Sequence, residues 1–283
     1  MIHTSDLQII VSGYSRISQA LYNFLIEKSL SVTKFDTTVN SNSTIKADLI
    51  FIFCSDNQEE KVNMLRSLKP YLKKNGIITV NLDSVNLHDL QDATQLEVLG
   101  LNLSFPKQKS LFMEIISTKT NSNDQIDFLT EFGSKVLEKD PYRVKNGISA
   151  RAFMLAAMTR EAFYLVSNGY ASVESVDRAC RNDAGYYMPF TGNYLYMDLM
   201  GTVAYAFVMK DLNPELSNCS ELPSWFVDKV SAGKTGMRAT VGLYSYEEGD
   251  FEKWEDVLED FSGEINALIE KNIQHYERRL NHE

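Results

Sequence analysis

The first half of the chain contains a succession of short, almost wholly apolar runs, and few folds can accommodate them. They fall at residues 7–12 (LQIIVS), 47–53 (ADLIFIF), 76–82 (GIITVNL), 98–103 and 110–117, and a further strand, of mixed polarity, is read at 31–35 (SVTKF). A run without polar alternation reads as a strand covered on both faces, as in a parallel sheet flanked by helices. Helical periodicity fills some of the gaps: Leu21, Phe24, Leu25 and Ile26 follow the first run, and a helix is expected over 58–74. Strands alternating with helices predict an α/β class, with a doubly wound parallel sheet of Rossmann type over residues 1–145.

Residues 146–283 read differently, as an all-helical domain. The stretch 151–169 (RAFMLAAMTREAFYLVSNG) carries apolar side chains at Phe153, Met154, Ala157, Met158, Ala162, Phe163, Leu165 and Val166. They cover more than half of a helix circumference, which predicts a core or interface helix buried on more than one side. Gly147 and Ser149 precede it, Asn168-Gly169 suits a left-handed stop, and Ser172 offers a cap for a second helix. Tyr186, Tyr187, Phe190, Tyr194 and Tyr196 are read as packing or interface aromatics. The tail over 247–283 is an acidic amphipathic helix with Trp254, Val257, Leu258, Phe261, Ile265, Leu268 and Ile269 at helical spacing.

The turn after the first strand reads Gly13-Tyr14-Ser15-Arg16-Ile17-Ser18. Strand, glycine turn and helix is how a dinucleotide-binding unit opens, although only the first of the three usual glycines is present. Serine is small, a helix N-terminus attracts phosphate, and Arg16 adds a charge-assisted donor. Gly13, Ser15, Arg16 and Ile17 are therefore the candidate pyrophosphate cradle. Asp36 lies 23 residues beyond Gly13, near the about 20-residue interval at which an acid reaches the ribose hydroxyls of NAD. The competing reading is a plain strand-to-helix turn that binds no nucleotide.

A net charge of −10 argues against a general nucleic-acid or anionic-membrane binder. Cys54, Cys180 and Cys219 are odd in number and widely spaced, which points to free thiols in a reducing cytoplasm rather than disulfides or a metal site. No apolar run approaches the ~18 residues of a membrane span, and the N-terminus lacks the pattern of a secretion signal.

From Glu161 to Tyr246, a helix ending in glycine, the segment ASVESVDRA, the turn GYYMPF, Asp198-x-x-Gly201 and the closing GKTGMRATVGLYSY follow one another. In order and spacing this series resembles the C-terminal domain of 3-hydroxyacyl-CoA dehydrogenases. The resemblance implies an NAD-binding Rossmann domain, with NADP as the alternative, a helical domain that pairs two subunits, and a cleft for an acyl-CoA or related 3-hydroxy acid. The implied chemistry moves hydride between a 3-hydroxyl carbon and nicotinamide while a histidine, oriented by a glutamate twelve residues later, takes the proton.

In this chain the histidine motif falls on Asn102-Leu103-Ser104-Phe105-Pro106 and the glutamate on Glu114. An amide is no base, so Asn102 is expected to hydrogen-bond rather than to take a proton. The family's Ser-Asn-Thr-Ser-Ser falls on Val80-Asn81-Leu82-Asp83-Ser84, with Asp83 where a substrate-facing serine is expected, and Gly147-Ile148-Ser149-Ala150-Arg151 is one residue shorter than its counterpart. Asp56, Asn57 and Lys61 match a motif whose lysine approaches the cofactor. The resemblance thus nominates Asn102, Glu114, Asp83 and Ser84 for catalysis, and Lys61 and Asn81 for the cofactor. Asp83 is the substitute base if burial raises its pKa. His88 is a second candidate, weighed against a surface role, and His3, His275 and His282 read as solvated. Lys107 and Lys109 are the basic pair nearest the site. A catalytically silent member that binds nucleotide or acyl-CoA as a sensor or interaction protein is the competing outcome.

Overall fold

The computed structural model describes residues 7–35, 45–104 and 110–280, with side chains described as far as Asn272. The chain forms two compact units, residues 1–153 and 154–283. The first holds a seven-stranded sheet in the order β2-β1-β3-β4-β5-β6-β7. Its strands are β1 (Gln8–Ser12), β2 (Ser31–Phe35), β3 (Ala47–Ile52), β4 (Leu72–Val80), β5 (Leu99–Leu103), β6 (Phe112–Ile116) and β7 (Asp140–Val144). Four helices connect them: α1 (Arg16–Glu27), α2 (Gln58–Leu68), α3 (Leu87–Thr94) and α4 (Asn123–Lys135). All strand pairs are parallel except β5 with β6, which no helix separates and which run antiparallel.

Side chains alternate across the sheet, and this alternation builds two cores. Leu49 and Phe51 of β3 join Ile9, Val11, Leu99 and Leu101 beneath Leu21 and Leu25 of α1 and Leu129 and Phe132 of α4. Ile50 and Ile52 face the other way, against Val62, Leu65 and Leu68 of α2 and Leu87 and Leu90 of α3. The sheet is therefore sandwiched between helices. Every apolar residue of β3 is buried, on both faces, which is why that segment could dispense with polar alternation.

One boundary differs from the expectation of a helix over 58–74. Pro70 lies in a short 3-10 turn, Lys69–Tyr71, that closes α2, and β4 begins at Leu72. Proline has no N–H for the helical ladder and disfavours helix at the residue before it. The strand end differs too: Asn81 and Leu82 lie beyond β4, where side-chain amides replace the ladder as described below.

The second unit is helical: α5 (Ala150–Ser167, which begins in the first unit), α6 (Val173–Ala179), α7 (Gly185–Met200), α8 (Thr202–Leu212), α9 (Ser224–Ser231) and α10 (Asp250–Leu280). Ser172 caps α6 by accepting from Ser175 N at 3.1 Å, and Gly169 takes the left-handed conformation with φ +71°. A π turn, Cys180–Ala184, leads into α7, whose Gly192 interrupts the helix with φ 64°. Phe163 packs on Trp225 and Phe226, and Tyr187 stacks on Tyr196 at 3.5 Å between ring centroids.

The expectation that α5 is buried on more than one side does not hold within the single chain. None of its residues is buried, and Phe153, Met154 and Met158 are each more than half exposed. Apolar periodicity reports that a face is to be covered and is blind to whether the cover comes from the same chain. Among the described residues no helix is long and apolar enough to cross a membrane.

Candidate active site

In a doubly wound sheet, ligands bind beyond the carboxyl ends of the strands near the point where strand order reverses. That point lies at β1, between β2 and β3. Gly13 sits there with φ +119°, and a Cβ at this position would lie 1.8 Å from the carbonyl oxygen of Phe53. No other residue fits. Ser15 caps α1, its Oγ accepting from Ser18 N at 3.3 Å. Ser18, in place of the third glycine, is buried, and its hydroxyl lies 2.8 Å from Gly13 O and 2.7 Å from Ser15 O. A small polar side chain thus fills the close contact left by the missing glycine and ties the turn to the helix. The first turn of α1 carries no acid and starts with the exposed Arg16. Tyr14 points outward at 73% exposure, and Ile17 packs against the core. This turn fits a pyrophosphate: a helix N-terminus without acidic side chains in its first turn, and an arginine beside it.

At the ends of β3 and β4 two asparagines act as extra rungs of the sheet. Asn81 Oδ1 accepts from Cys54 N at 2.9 Å and its Nδ2 donates to Cys54 O at 2.9 Å. Asn102, on β5, does the same for Leu82: Oδ1 accepts from Leu82 N at 2.9 Å and Nδ2 donates to Leu82 O at 2.6 Å. A side-chain amide carries the same donor and acceptor as a peptide, so each one holds the chain emerging from the neighbouring strand. Lys61 of α2 is completely buried beneath these loops, donating to Asn81 O at 2.8 Å and lying 3.5 Å from Asp56. Asp56 accepts from Asp83 N at 3.3 Å, from Ser84 N at 2.6 Å and from the Ser84 hydroxyl. Burial pushes the Asp56 carboxyl up, but the Ser84 and Asp83 donors and Lys61 outweigh it and hold the group below its ordinary value. Burial raises the Cys54 thiol.

Glu114 is the centre of a second network. The β5–β6 register sets it directly opposite Asn102, and it is wholly buried. Its Oε2 accepts from Asn102 Nδ2 at 3.1 Å and from the Ser149 hydroxyl at 2.6 Å. Its Oε1 accepts from Arg151 N at 3.0 Å and from Tyr142 OH at 3.3 Å. A buried carboxylate needs this saturation, because each hydrogen bond to a charged acceptor contributes about 1.5–3 kcal/mol against the cost of burial. Ser149 has a second task, accepting from Ala152 N at 3.1 Å to cap the start of α5. Gly147, with φ +76°, aims it: its N–H donates to Ser117 O and its carbonyl accepts from Leu87 N, both at 3.0 Å. Burial first, and then Glu114, raise the Tyr142 phenol above its ordinary value. Arg151 crosses from this network to Asp83, with 3.1 Å between Nη1 and Oδ1, and its guanidinium lies 5.3 Å from the centre of the Phe112 ring.

Of the residues nominated from sequence, Asn102 meets Glu114, and Asp83, Ser84, Lys61 and Asn81 lie together beyond β3 and β4. Gly13, Ser15, Arg16 and Ile17 form the β1–α1 turn. The amide of Asn102 is spent on Leu82 and Glu114, and that of Asn81 on Cys54. Asp83 is about half exposed and paired with Arg151, so it lacks the burial that was the condition for its role as a base. His88 is exposed on the first turn of α3. Asp36, Pro106, Lys107, Lys109, His3 and His282, and the side chain of His275, lie outside the described residues. Sequence reasoning missed Ser149 and Tyr142 as partners of Glu114, and Arg151 as more than a helix start. The one local signal was a serine three residues before Ala152, the spacing of a helix cap. Among the described residues no group of three metal-ligating side chains converges.

Two family models match in chain order. The 3-hydroxyacyl-CoA dehydrogenase NAD-binding domain covers residues 14–147, and the 3-hydroxyacyl-CoA dehydrogenase C-terminal domain covers residues 151–246. A 5-formyl-3-hydroxy-2-methylpyridine 4-carboxylate 5-dehydrogenase of Mesorhizobium japonicum is 24% identical over 71% of this chain and 66% of its own length. A probable 3-hydroxyacyl-CoA dehydrogenase of Caenorhabditis elegans is 28% identical over 77% of this chain and 74% of its own. Among solved structures, one described as a 5-formyl-3-hydroxy-2-methylpyridine 4-carboxylic acid 5-dehydrogenase, an NAD-dependent dismutase, superposes with a TM-score of 0.81 at 18% identity, covering 93% of this chain and 98% of that one. A 3-hydroxyacyl-CoA dehydrogenase of Archaeoglobus fulgidus superposes with a TM-score of 0.64 at 19% identity, covering 90% and 97%.

Proposed function

Because the two domain models account for residues 14–147 and 151–246 in order, the chain belongs to the 3-hydroxyacyl-CoA dehydrogenase family, and we propose that it is a divergent NAD-dependent oxidoreductase acting on a 3-hydroxyacyl thioester or a related hydroxy acid. The observation that carries this reading is the row of groups along one end of the sheet: the Gly13 turn at β1, Asp56 with Lys61 at β3, Asp83 with Ser84 at β4, and Asn102 facing Glu114 across β5 and β6. The nicotinamide supplies the hydride acceptor or donor when it is bound.

The chain's own residues bind, orient and move a proton. The α1 N-terminus and Arg16 favour the pyrophosphate, with Asp36 proposed for the ribose and NADP as the alternative cofactor. Lys61 holds the Asn81 carbonyl and so sets the β4 loop beside that site. Glu114, with its acceptor positions filled, and Asn102, with its amide engaged, position the β4–β5 loops. Neither is placed to take a proton from substrate. That role is assigned to Asp83 in the ligand-bound state, when a bound molecule displaces Arg151 and shields the carboxylate from water, supplying the burial that it lacks in the free chain. The extensive apolar exposure of α5, α7 and α8 supports a homodimer formed through the helical unit. The free thiols suit a reducing compartment such as the cytoplasm.

Purified protein given NADH with acetoacetyl-CoA, longer 3-ketoacyl-CoA thioesters and free 3-keto acids should consume the cofactor. Absence of turnover across this panel, and again with NADPH, would overturn the enzymatic reading. The saturated amide of Asn102 favours the alternative, a silent member that binds nucleotide or acyl-CoA. That version predicts calorimetric binding without turnover.

A further inference from the structure

Arg151 stands out among the groups at this end of the sheet. Its backbone N–H is fixed to the buried Glu114 at 3.0 Å, and its guanidinium lies over the Phe112 ring at 5.3 Å. Yet the Arg151 side chain is about 42% exposed, and that of its carboxylate partner, Asp83, is about half exposed. An exposed ion pair of this kind contributes little to stability. The pair engages Nη1 through one contact to Oδ1, although a guanidinium fork can bind a carboxylate through two parallel bonds. The guanidinium thus sits beside an aromatic ring on a backbone anchored to the buried Glu114, while its one carboxylate contact is weak and replaceable.

We infer that Arg151 is a substrate-recognition residue that binds the carboxylate of a small hydroxy or oxo acid, with Asp83 occupying its place in the absence of ligand. The inference rests on the dehydrogenase reading for its location at the carboxyl end of β4, and it narrows the substrate from acyl thioesters to free acids. Exchange of the internal carboxylate for the substrate's would leave Asp83 unpaired next to the bound acid. That is the state in which it can accept the hydroxyl proton as hydride leaves the carbinol carbon for NAD. With NAD bound, Asp83 would take the O–H proton, the C–H electron pair would go to the nicotinamide as hydride, and the alcohol would become a carbonyl.

Affinity is measured by saturation-transfer NMR on the full chain with NADH, using acetoacetate and its uncharged ethyl ester as probes. Wild type should bind the acid at least about tenfold more tightly than the ester, in the range of a bidentate charged contact. Arg151→Gln should erase that preference by weakening the acid alone. Asp83→Asn should strengthen acid binding, since it removes the competitor, while slowing oxidation of 3-hydroxybutyrate. Opposite signs for the two partners are not what a structural ion pair gives, because breaking it from either side would have the same effect. Equal affinity for acid and ester, a preference that survives Arg151→Gln, or acetoacetyl-CoA bound and reduced equally well by wild type and Arg151→Gln would each overturn the inference and leave the dehydrogenase reading intact. Arg151-dependent acid binding without any turnover would uphold the inference and remove the dehydrogenase reading.

Discussion

Asn102 is the residue on which the chemistry turns. Its amide makes a two-way pairing with Leu82 and donates to Glu114, so it is a structural clasp at a position where the family resemblance anticipates a base. Asn102→His should cost about 1–3 kcal/mol, the loss of that pairing, and should raise turnover with a pH dependence near the usual histidine value of about 6.5. Asn102→Asp should cost more, about 3–5 kcal/mol at neutral pH, because it sets a second carboxylate beside the buried Glu114. Urea titrations of the three proteins check the order, and the penalty of Asn102→Asp should shrink as the solution is acidified. The family resemblance, through its histidine motif and the glutamate that follows it, was enough to pair Asn102 with Glu114 in sequence. Ser149, Tyr142 and Arg151 were not legible in this way, because they come from β7 and the start of α5. The β6–β7 register sets Tyr142 opposite Glu114, and the path through Gly147 brings Ser149 and Arg151 to the same carboxylate.

Among the elements, the sheet was readable because continuous apolar runs have few alternatives, and β1, β2, β3 and β5 lie within a residue of where periodicity puts them. The unread part has physical causes. A proline in a polar stretch ended α2 early, and β7 carries only half-exposed and exposed residues at a sheet edge, where no apolar run marks it. The loops beyond β3 and β4 are fastened by side chains rather than by ladder hydrogen bonds, and Asp56 is their hub. Its carboxyl is held below the ordinary value of 3.8, so its stabilising contribution is complete above that value and is lost as pH falls through the lower folded value. Asp56→Asn should therefore destabilise the protein by about 1 kcal/mol, given the partial exposure of the group. The gap to wild type should be constant above about pH 5 and close below about pH 4. Thermal unfolding across pH 3–7 measures it, and a gap that widened in acid would reverse the assigned sign.

For the whole molecule, two units with different accounts of their apolar surface are joined at α5. The sheet unit covers its own core. The helical unit leaves Leu199, Val203 and Phe207 each at least 65% exposed, a surface that calls for a partner. The acidic balance of the chain leaves Arg16 and Arg151 as local positive groups at the carboxyl end of the sheet, where an anionic cofactor and an anionic substrate would meet. The central claim is that hydride moves between a carbon and nicotinamide at that end, in the absence of a histidine at position 102. It is tested most directly by incubating the protein with NADH deuterated at both C4 positions and with acetoacetate or acetoacetyl-CoA, and weighing the reduced product. One deuterium at the carbinol carbon is the predicted result. Bound cofactor with no deuterium transferred to either substrate would contradict it.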